Sequence, residues 1–107
     1  MQFSTTPEIP GKIIKENLGV VAGNVVQSKH VGRDLMAGLK GLIGGEIVGY
    51  TEMLADARDV AIERMVDEAK KRGADAVINI RFTTSNIMAN ASEILAYGTA
   101  VKLAKQD

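Results

Sequence analysis

His30 is the only histidine in the chain, and the chain contains no cysteine. A structural zinc site takes four thiolate, imidazole or carboxylate ligands, and a catalytic site three, so one subunit cannot supply a histidine or thiolate set. In a symmetric ring, copies of His30 could meet on the axis. The simpler interpretation is a loop histidine beside Lys29. Without cysteine, disulfides and cysteine nucleophiles are excluded.

Three carboxylates, Asp59, Glu63 and Asp67, recur every four residues, so they would align on one face of a helix. A hard divalent cation could bridge them, because Ca²⁺ and Mg²⁺ prefer oxygen ligands. A solvated helix face has the same pattern, and Glu68 and Arg72 are spaced as an ordinary ion pair. We interpret the row as a solvated face and assign no metal ligand.

Nucleophilic catalysis and nucleotide binding are poorly supported. No serine lies in a G-x-S-x-G context. A Ser-His-Asp set would need His30, the only histidine, and Asp34 four residues later, but an aspartate there also suits the start of a helix. The glycine-rich segment 38–46 has neither a P-loop ending nor G-x-G-x-x-G, so close packing is the better interpretation. We therefore predict no catalytic residue, no cofactor and no enzymatic activity.

Arg58 falls inside the apolar arc of a helix predicted over residues 50–72. We favour a structural ion pair with a carboxylate, including one from another subunit. The alternative is an anion site between subunits, where Arg58, Tyr50 and Arg33 would meet. Tyr97 could line a cleft with Tyr50, although a buried tyrosine with a satisfied hydroxyl is the commoner case.

The helix predicted over residues 50–72 is unusually apolar. It contains no Gly or Pro, and Gly73 is a suitable C-terminal stop. An ordinary surface helix buries one stripe, whereas this helix calls for cover on more than one side, which indicates self-association. Six of its polar residues fall on one narrow arc: Glu52, Asp56, Asp59, Glu63, Asp67 and Lys70.

Shorter elements surround this helix. Residues 12–16 could form a short strand, 17–19 a turn, and the valine-rich segment 19–27 a strand in which Gly23 suggests a bulge or a close neighbour. A short helix is predicted over 33–43. There Ala37, Gly41 and Gly45 form a smooth row that another backbone can approach. We expect residues 1–11, with two prolines, to be an extended arm.

Two more strands are predicted after Gly73, over 76–83 and 92–103, with a polar loop at 84–91. Alternation places Ile78, Ile80 and Phe82 on one face of the first. In the second, the small residues Ala96, Gly98 and Ala100 leave room for a helix or a subunit. The first connection can be a crossover between parallel strands, and the second allows an antiparallel hairpin.

Composition limits the class of protein. We expect one domain over residues 1–107. With 13 basic and 13 acidic side chains, no basic surplus indicates a nucleic-acid partner. No apolar run approaches the length of a membrane span, and the first residues do not resemble a signal peptide, so a cytoplasmic protein is expected.

Several short motifs lie along the chain in a characteristic order: Phe3-Ser4-Thr5-Thr6-Pro7, Arg33-Asp34, Gly44-Gly45, Tyr50, Ala57-Arg58, Gly73-Ala74-Asp75-Ala76-Val77 and Gly98-Thr99-Ala100-Val101. Their order and spacing resemble the YbjQ-like family nearly end to end. Proteins of this family carry a heavy-metal-binding label. The resemblance implies a small α+β subunit of order β-α-α-β-β, like that of dodecin, which assembles into a pentamer.

The family's label does not match the ligands in this sequence. Soft metals prefer thiolate or thioether ligands; there is no cysteine, and among the methionines Met53 and Met65 occupy helix positions expected to be buried. The leading hypothesis is a cytoplasmic homo-oligomeric binding or scaffolding module, with a pentamer favoured. The alternatives are a metal-binding protein with ligands between subunits, and a small-anion binding protein or enzyme with a pocket between subunits.

Overall fold

The structure is a computed structural model that describes residues 1–28, 48–88 and 91–106. Four strands form one sheet in the order β1-β3-β4-β2, and the helix α1 spans Val48–Lys71. The α+β prediction is confirmed. The predicted short helix 33–43, with its row Ala37, Gly41 and Gly45, lies outside the described residues. The strands are β1 (Gln2–Phe3), β2 (Lys12–Ser28), β3 (Ala76–Met88) and β4 (Ala91–Lys105).

The strand directions agree with the predicted connections. β4 is antiparallel to both β2 and β3, so β2 and β3 run parallel to each other with β4 between them. The chain from β2 to β3, which contains α1, is therefore a crossover, and β3 and β4 form the predicted antiparallel pair.

Helix α1 ends where the sequence predicts. Gly73 has φ 77°, and its amide donates to the Lys70 carbonyl at 3.0 Å while the Ala74 amide donates to the Ala69 carbonyl at 3.1 Å. These two bonds form a Schellman motif, whose left-handed residue is best supplied by glycine. The prediction of Gly73 as a stop is confirmed.

The buried side of α1 is a row of small residues. Ala57, Ala61, Met65 and Ala69 recur every four residues and are at most 2% exposed. They pack in one cluster with Ala96, Ala100 and Val21 of the sheet. The prediction that the small residues of β4 make room for a helix is confirmed, and Met65 is the largest of the side chains that are fully buried.

Gly23 lies directly under the helix backbone. A Cβ atom there would lie 2.9 Å from the Arg64 carbonyl carbon and would also overlap the Ala61 oxygen and the Met65 nitrogen. The close neighbour expected at Gly23 is therefore α1 itself, and the absence of a side chain allows the helix to approach the sheet.

A β-bulge in β3 overturns the predicted face of Ile78 and Ile80. The register to β4 shifts between Ile78 and Arg81, and Asn79 has φ 54°. Ile80 packs in the helix-side cluster, whereas Ile78 packs in the cluster on the opposite face. The extra residue of a bulge breaks the two-residue alternation.

Two predicted strand boundaries are also wrong. The predicted turn at 17–19 is a bulge within one continuous strand, where the Gly19 amide donates to Asn17 Oδ1 at 2.7 Å and the register to β4 shifts. The predicted polar loop at 84–91 is instead strand β3 as far as Met88. Pairing with β4 satisfies the backbone groups on one side of the strand, while the side chains of residues 81–88 are exposed.

The N-terminal arm joins both edges of the sheet. β1 pairs with the start of β3 in parallel. Ile9, 5% exposed, then packs with Ala76, Ile78 and Val101 on the face that α1 does not cover. This arm closes one end of that face and delivers the chain to β2 at the opposite edge.

Candidate functional site

An open groove of about 410 Å³ runs between helix α1 and strand β1. Its apolar part comes from Phe3, Ile62 and Val66, and the remainder is mostly acidic. Ile62 and Val66 directly follow the buried residues Ala61 and Met65 in sequence, so they lie on one flank of the helix rather than beneath it. The charged lining consists of Asp59, Glu63, Asp67 and Lys70.

Phe3 is held at this groove by its strand. It pairs with Val77 of β3, and the amide of the next residue, Ser4, donates to the Val77 carbonyl at 2.9 Å. The aromatic ring nevertheless remains 51% exposed. A well-fixed backbone therefore presents a large apolar side chain to solvent.

The other aromatic side chains that the structure describes are exposed as well. Phe82 is 43% exposed and Tyr97 is 38% exposed. Phe82 lies opposite Ala96 on the helix-bearing face, and Tyr97 lies opposite Ala22 on the other face. Aromatic side chains normally dominate cores and interfaces, yet this core is built from Ala, Val, Ile and Met.

The β2 edge of the sheet is covered by side chains of α1. Arg64 Nη1 donates to the Asn24 carbonyl at 2.6 Å, and Arg72 Nη1 donates to the Leu18 carbonyl at 3.1 Å. Between them Glu68 Oε2 accepts from the Ala22 amide at 3.4 Å. These residues recur every four positions, so one helix row blocks an edge that could otherwise pair with a foreign strand.

The predicted carboxylate row does not form a metal centre. Asp59, Glu63 and Asp67 are exposed, as expected for a solvated face. Within residues 1–28, 48–88 and 91–106, no three side chains of His, Asp or Glu come together as metal ligands. His30, the candidate for an axial site, lies outside the described residues.

The candidates for an anion site are only partly described. Arg58 is exposed, and the one ion pair found in the described part of the chain joins Arg72 to Glu68 at 2.9 Å. The structural ion pair expected for Arg58 therefore does not form among those residues. Arg33 and the side chain of Tyr50 fall outside the description, so no anion pocket is brought together.

Sequence reasoning missed two features of this surface. The groove depends on Phe3, which β1 brings beside the helix from far along the chain. The edge cover depends on Arg64, Glu68 and Arg72. Their spacing of four residues was a usable signal for a common row, although the sequence does not say that the row faces a strand edge. In the part of the chain described, no helix has the length and apolar character needed to cross a membrane.

Comparison with known proteins finds similar proteins over nearly the whole length of the chain. The model of the YbjQ family, described as "Putative heavy-metal-binding", matches residues 1–104. A "UPF0145 protein" of Colwellia psychrerythraea is 67% identical over 105 residues, covering 98% of this chain and 100% of the relative. One of Thermotoga maritima is 63% identical over 105 residues, covering 98% and 99%.

A solved structure shares the fold. It is a protein of unknown function of the DUF74 family from Pediococcus pentosaceus, with a TM-score of 0.65 and 17% identity. The match covers 97% of this chain and 98% of that chain. The solved structure supports the fold, while the family model and the two relatives show that this chain belongs to the YbjQ-like family, in which these relatives carry the name UPF0145.

Proposed function

We propose that this protein is a self-assembling module that binds or scaffolds other molecules rather than catalysing a reaction. It forms a closed homo-oligomeric ring, and five subunits is the specific expectation. The observation that carries this proposal is the exposure of every described aromatic side chain: Phe3, Phe82 and Tyr97 are 51%, 43% and 38% exposed.

The remaining apolar surface supports the same conclusion. Among the described residues, the row of α1 that begins at Ala57 is the part that the sheet buries completely. Leu54 is 44% exposed, and Val60, Ile62 and Val66 are only half-buried. Covering what remains exposed contributes up to about 1.5–3 kcal/mol for each side chain, which favours association.

The family's heavy-metal description does not extend to a site in this chain. Soft ions prefer thiolate or thioether ligands; the chain has no cysteine and one histidine, and of its five methionines Met65 is fully buried. In the described residues, Asp59, Glu63 and Asp67 follow a helix face and form no group of three carboxylate or histidine ligands. We therefore assign no heavy-metal site, and no step of the proposed function involves one.

The experiment is a measurement of mass in solution. Light scattering and native mass spectrometry at micromolar concentration should report a single closed oligomer. Phe82→Ser should shift the population toward smaller species, because it removes an exposed ring that contributes little to the monomer core. Thr83→Ser, at the adjacent exposed position, is the matched control and should leave the mass unchanged. A monomeric wild-type protein would contradict the proposal.

A further inference from the structure

The subunit presents two different apolar patches at opposite edges of its sheet. β1 and β2 are the outermost strands. The β1 edge carries the groove of Phe3, Ile62 and Val66. The β2 edge begins with Ile13, 50% exposed, on the helix-bearing face, and Ile14, 42% exposed, on the other face, where it lies opposite Leu103. Among residues 1–28, 48–88 and 91–106, neither edge is fully covered, and the two cannot meet within one sheet because β3 and β4 lie between them.

The two edges also carry opposite charge. The groove holds three carboxylates and one amine. On the β2 side, Lys12 and Lys15 flank the isoleucine pair, and Arg64 and Arg72 lie along the strand edge. The acidic residues on that side are Glu8, Glu16 and Glu68. The four basic residues outnumber them, and Glu68 is already paired with Arg72. A basic apolar segment therefore lies at one edge and an acidic apolar groove at the other.

We propose that Ile13 of one subunit docks in the groove of a second copy, against its Phe3, Ile62 and Val66. Lys12 and Lys15 then face the carboxylates of Asp59, Glu63 and Asp67. This inference rests on the proposed self-assembly and names one pair of surfaces that contributes to it.

A head-to-tail contact between two copies suits the groove better than a two-fold dimer in which two grooves face each other. In a two-fold dimer through the groove, carboxylates would face carboxylates, and like charges across an interface are repulsive. A head-to-tail contact instead places each surface against its complement. Because it joins different surfaces at opposite edges, it repeats from subunit to subunit and generates a ring when the rotation closes.

Charge reversal tests the contact. Asp59→Lys with Glu63→Lys, or Lys12→Glu with Lys15→Glu, should each weaken assembly by at least about tenfold at low salt, because both place like charges in contact. The four changes in one chain restore opposite charges and should restore the assembly. Lys12 lies opposite Lys105 in the sheet, so Lys12→Glu removes a like-charge pair and should not impair folding.

The matched control is Glu52→Lys with Asp56→Lys, since both residues are exposed on α1 and outside the groove. This control should leave the oligomer unchanged. Circular dichroism of each variant checks that the subunit is folded.

Cysteine crosslinking provides a second measurement that does not depend on charge. The chain has no cysteine, so Ile13→Cys with Asp67→Cys introduces the only thiols. A short thiol crosslinker should join the double variant into a covalent ladder. Either single variant should remain uncrosslinked, because a head-to-tail contact does not bring identical residues together. Val26→Cys with Asp67→Cys is the control pair, and the crosslinker should give no ladder with it.

The outcomes separate this inference from the proposal on which it rests. A monomeric wild-type protein overturns both. A wild-type oligomer that tolerates both reversals, or that gives no ladder with Ile13→Cys and Asp67→Cys, overturns only the groove contact. In that case the groove is left for a different occupant, such as a basic apolar segment of another protein.

Discussion

Ile78 and Ile80, two residues apart in one strand, lie on opposite faces of the sheet. Ile80 packs with the helix-side cluster, and Ile78 packs with Ile9 beneath the sheet. The residue between them, Asn79, has φ 54°, and its amide donates to the Thr6 carbonyl at 3.1 Å. The bulge therefore serves both layers, because it supplies one apolar side chain to each and anchors the N-terminal arm.

The stability of the protein should depend on whether the residue at position 79 can adopt the left-handed backbone conformation. Asn79→Val should lower the free energy of unfolding by about 1–3 kcal/mol, because a β-branched residue is strained in the left-handed region. Asn79→Gly should be close to neutral, since glycine adopts this conformation freely. Urea unfolding at one protein concentration measures both. Equal stability of the two variants would show that the left-handed conformation is not required.

Gly23→Ala should destabilise the protein through contact alone. The added methyl would overlap the backbone of α1 at Ala61 and Met65, and overpacking of this kind costs about 1–3 kcal/mol. Gly11→Ala is the comparison, because Gly11 has φ 79° and open space around it, so its effect reports backbone strain only. Thermal unfolding of the two variants should rank Gly23→Ala as the less stable; the reverse order would contradict the close approach.

Arg64→Ala should expose the edge of β2. It removes the hydrogen bond to the Asn24 carbonyl, a loss of about 0.5–1.5 kcal/mol, and leaves a strand edge open to pairing. We expect faster amide exchange in β2 and a greater tendency to aggregate. Lys71→Ala, at an exposed position in the last turn, is the control. Unchanged exchange in β2 would show that the arginine does not protect the edge.

Metal-free protein titrated with zinc and copper should show no submicromolar, stoichiometric binding. A thiolate site needs cysteine, and a histidine site within one chain needs a second histidine, whereas the chain has no cysteine and one histidine. Calorimetry measures both ions directly. Tight binding that disappears in His30→Ala would refute this expectation and support the family's heavy-metal description.

Local patterns were sufficient for the elements whose signals are local. The helix was predicted from residue 50 and begins at Val48, and its stop at Gly73 follows from the conformational freedom of glycine. The hairpin of β3 and β4 and the small face of β4 also follow from periodicity. For the candidate site, the sequence indicated the acidic row and the excess of apolar surface, although not the groove in which they meet.

By itself, the sequence determined a long helix that ends at Gly73, strands that follow it, and a set of side chains with no cysteine and one histidine. Tertiary structure alone decided that β4 is central, that β1 brings Phe3 to the flank of α1, and that Asn79 turns Ile78 and Ile80 to different layers. The reason is physical. Helix periodicity and capping depend on neighbouring residues, whereas strand order, bulges and edges depend on hydrogen bonds between residues far apart in the chain.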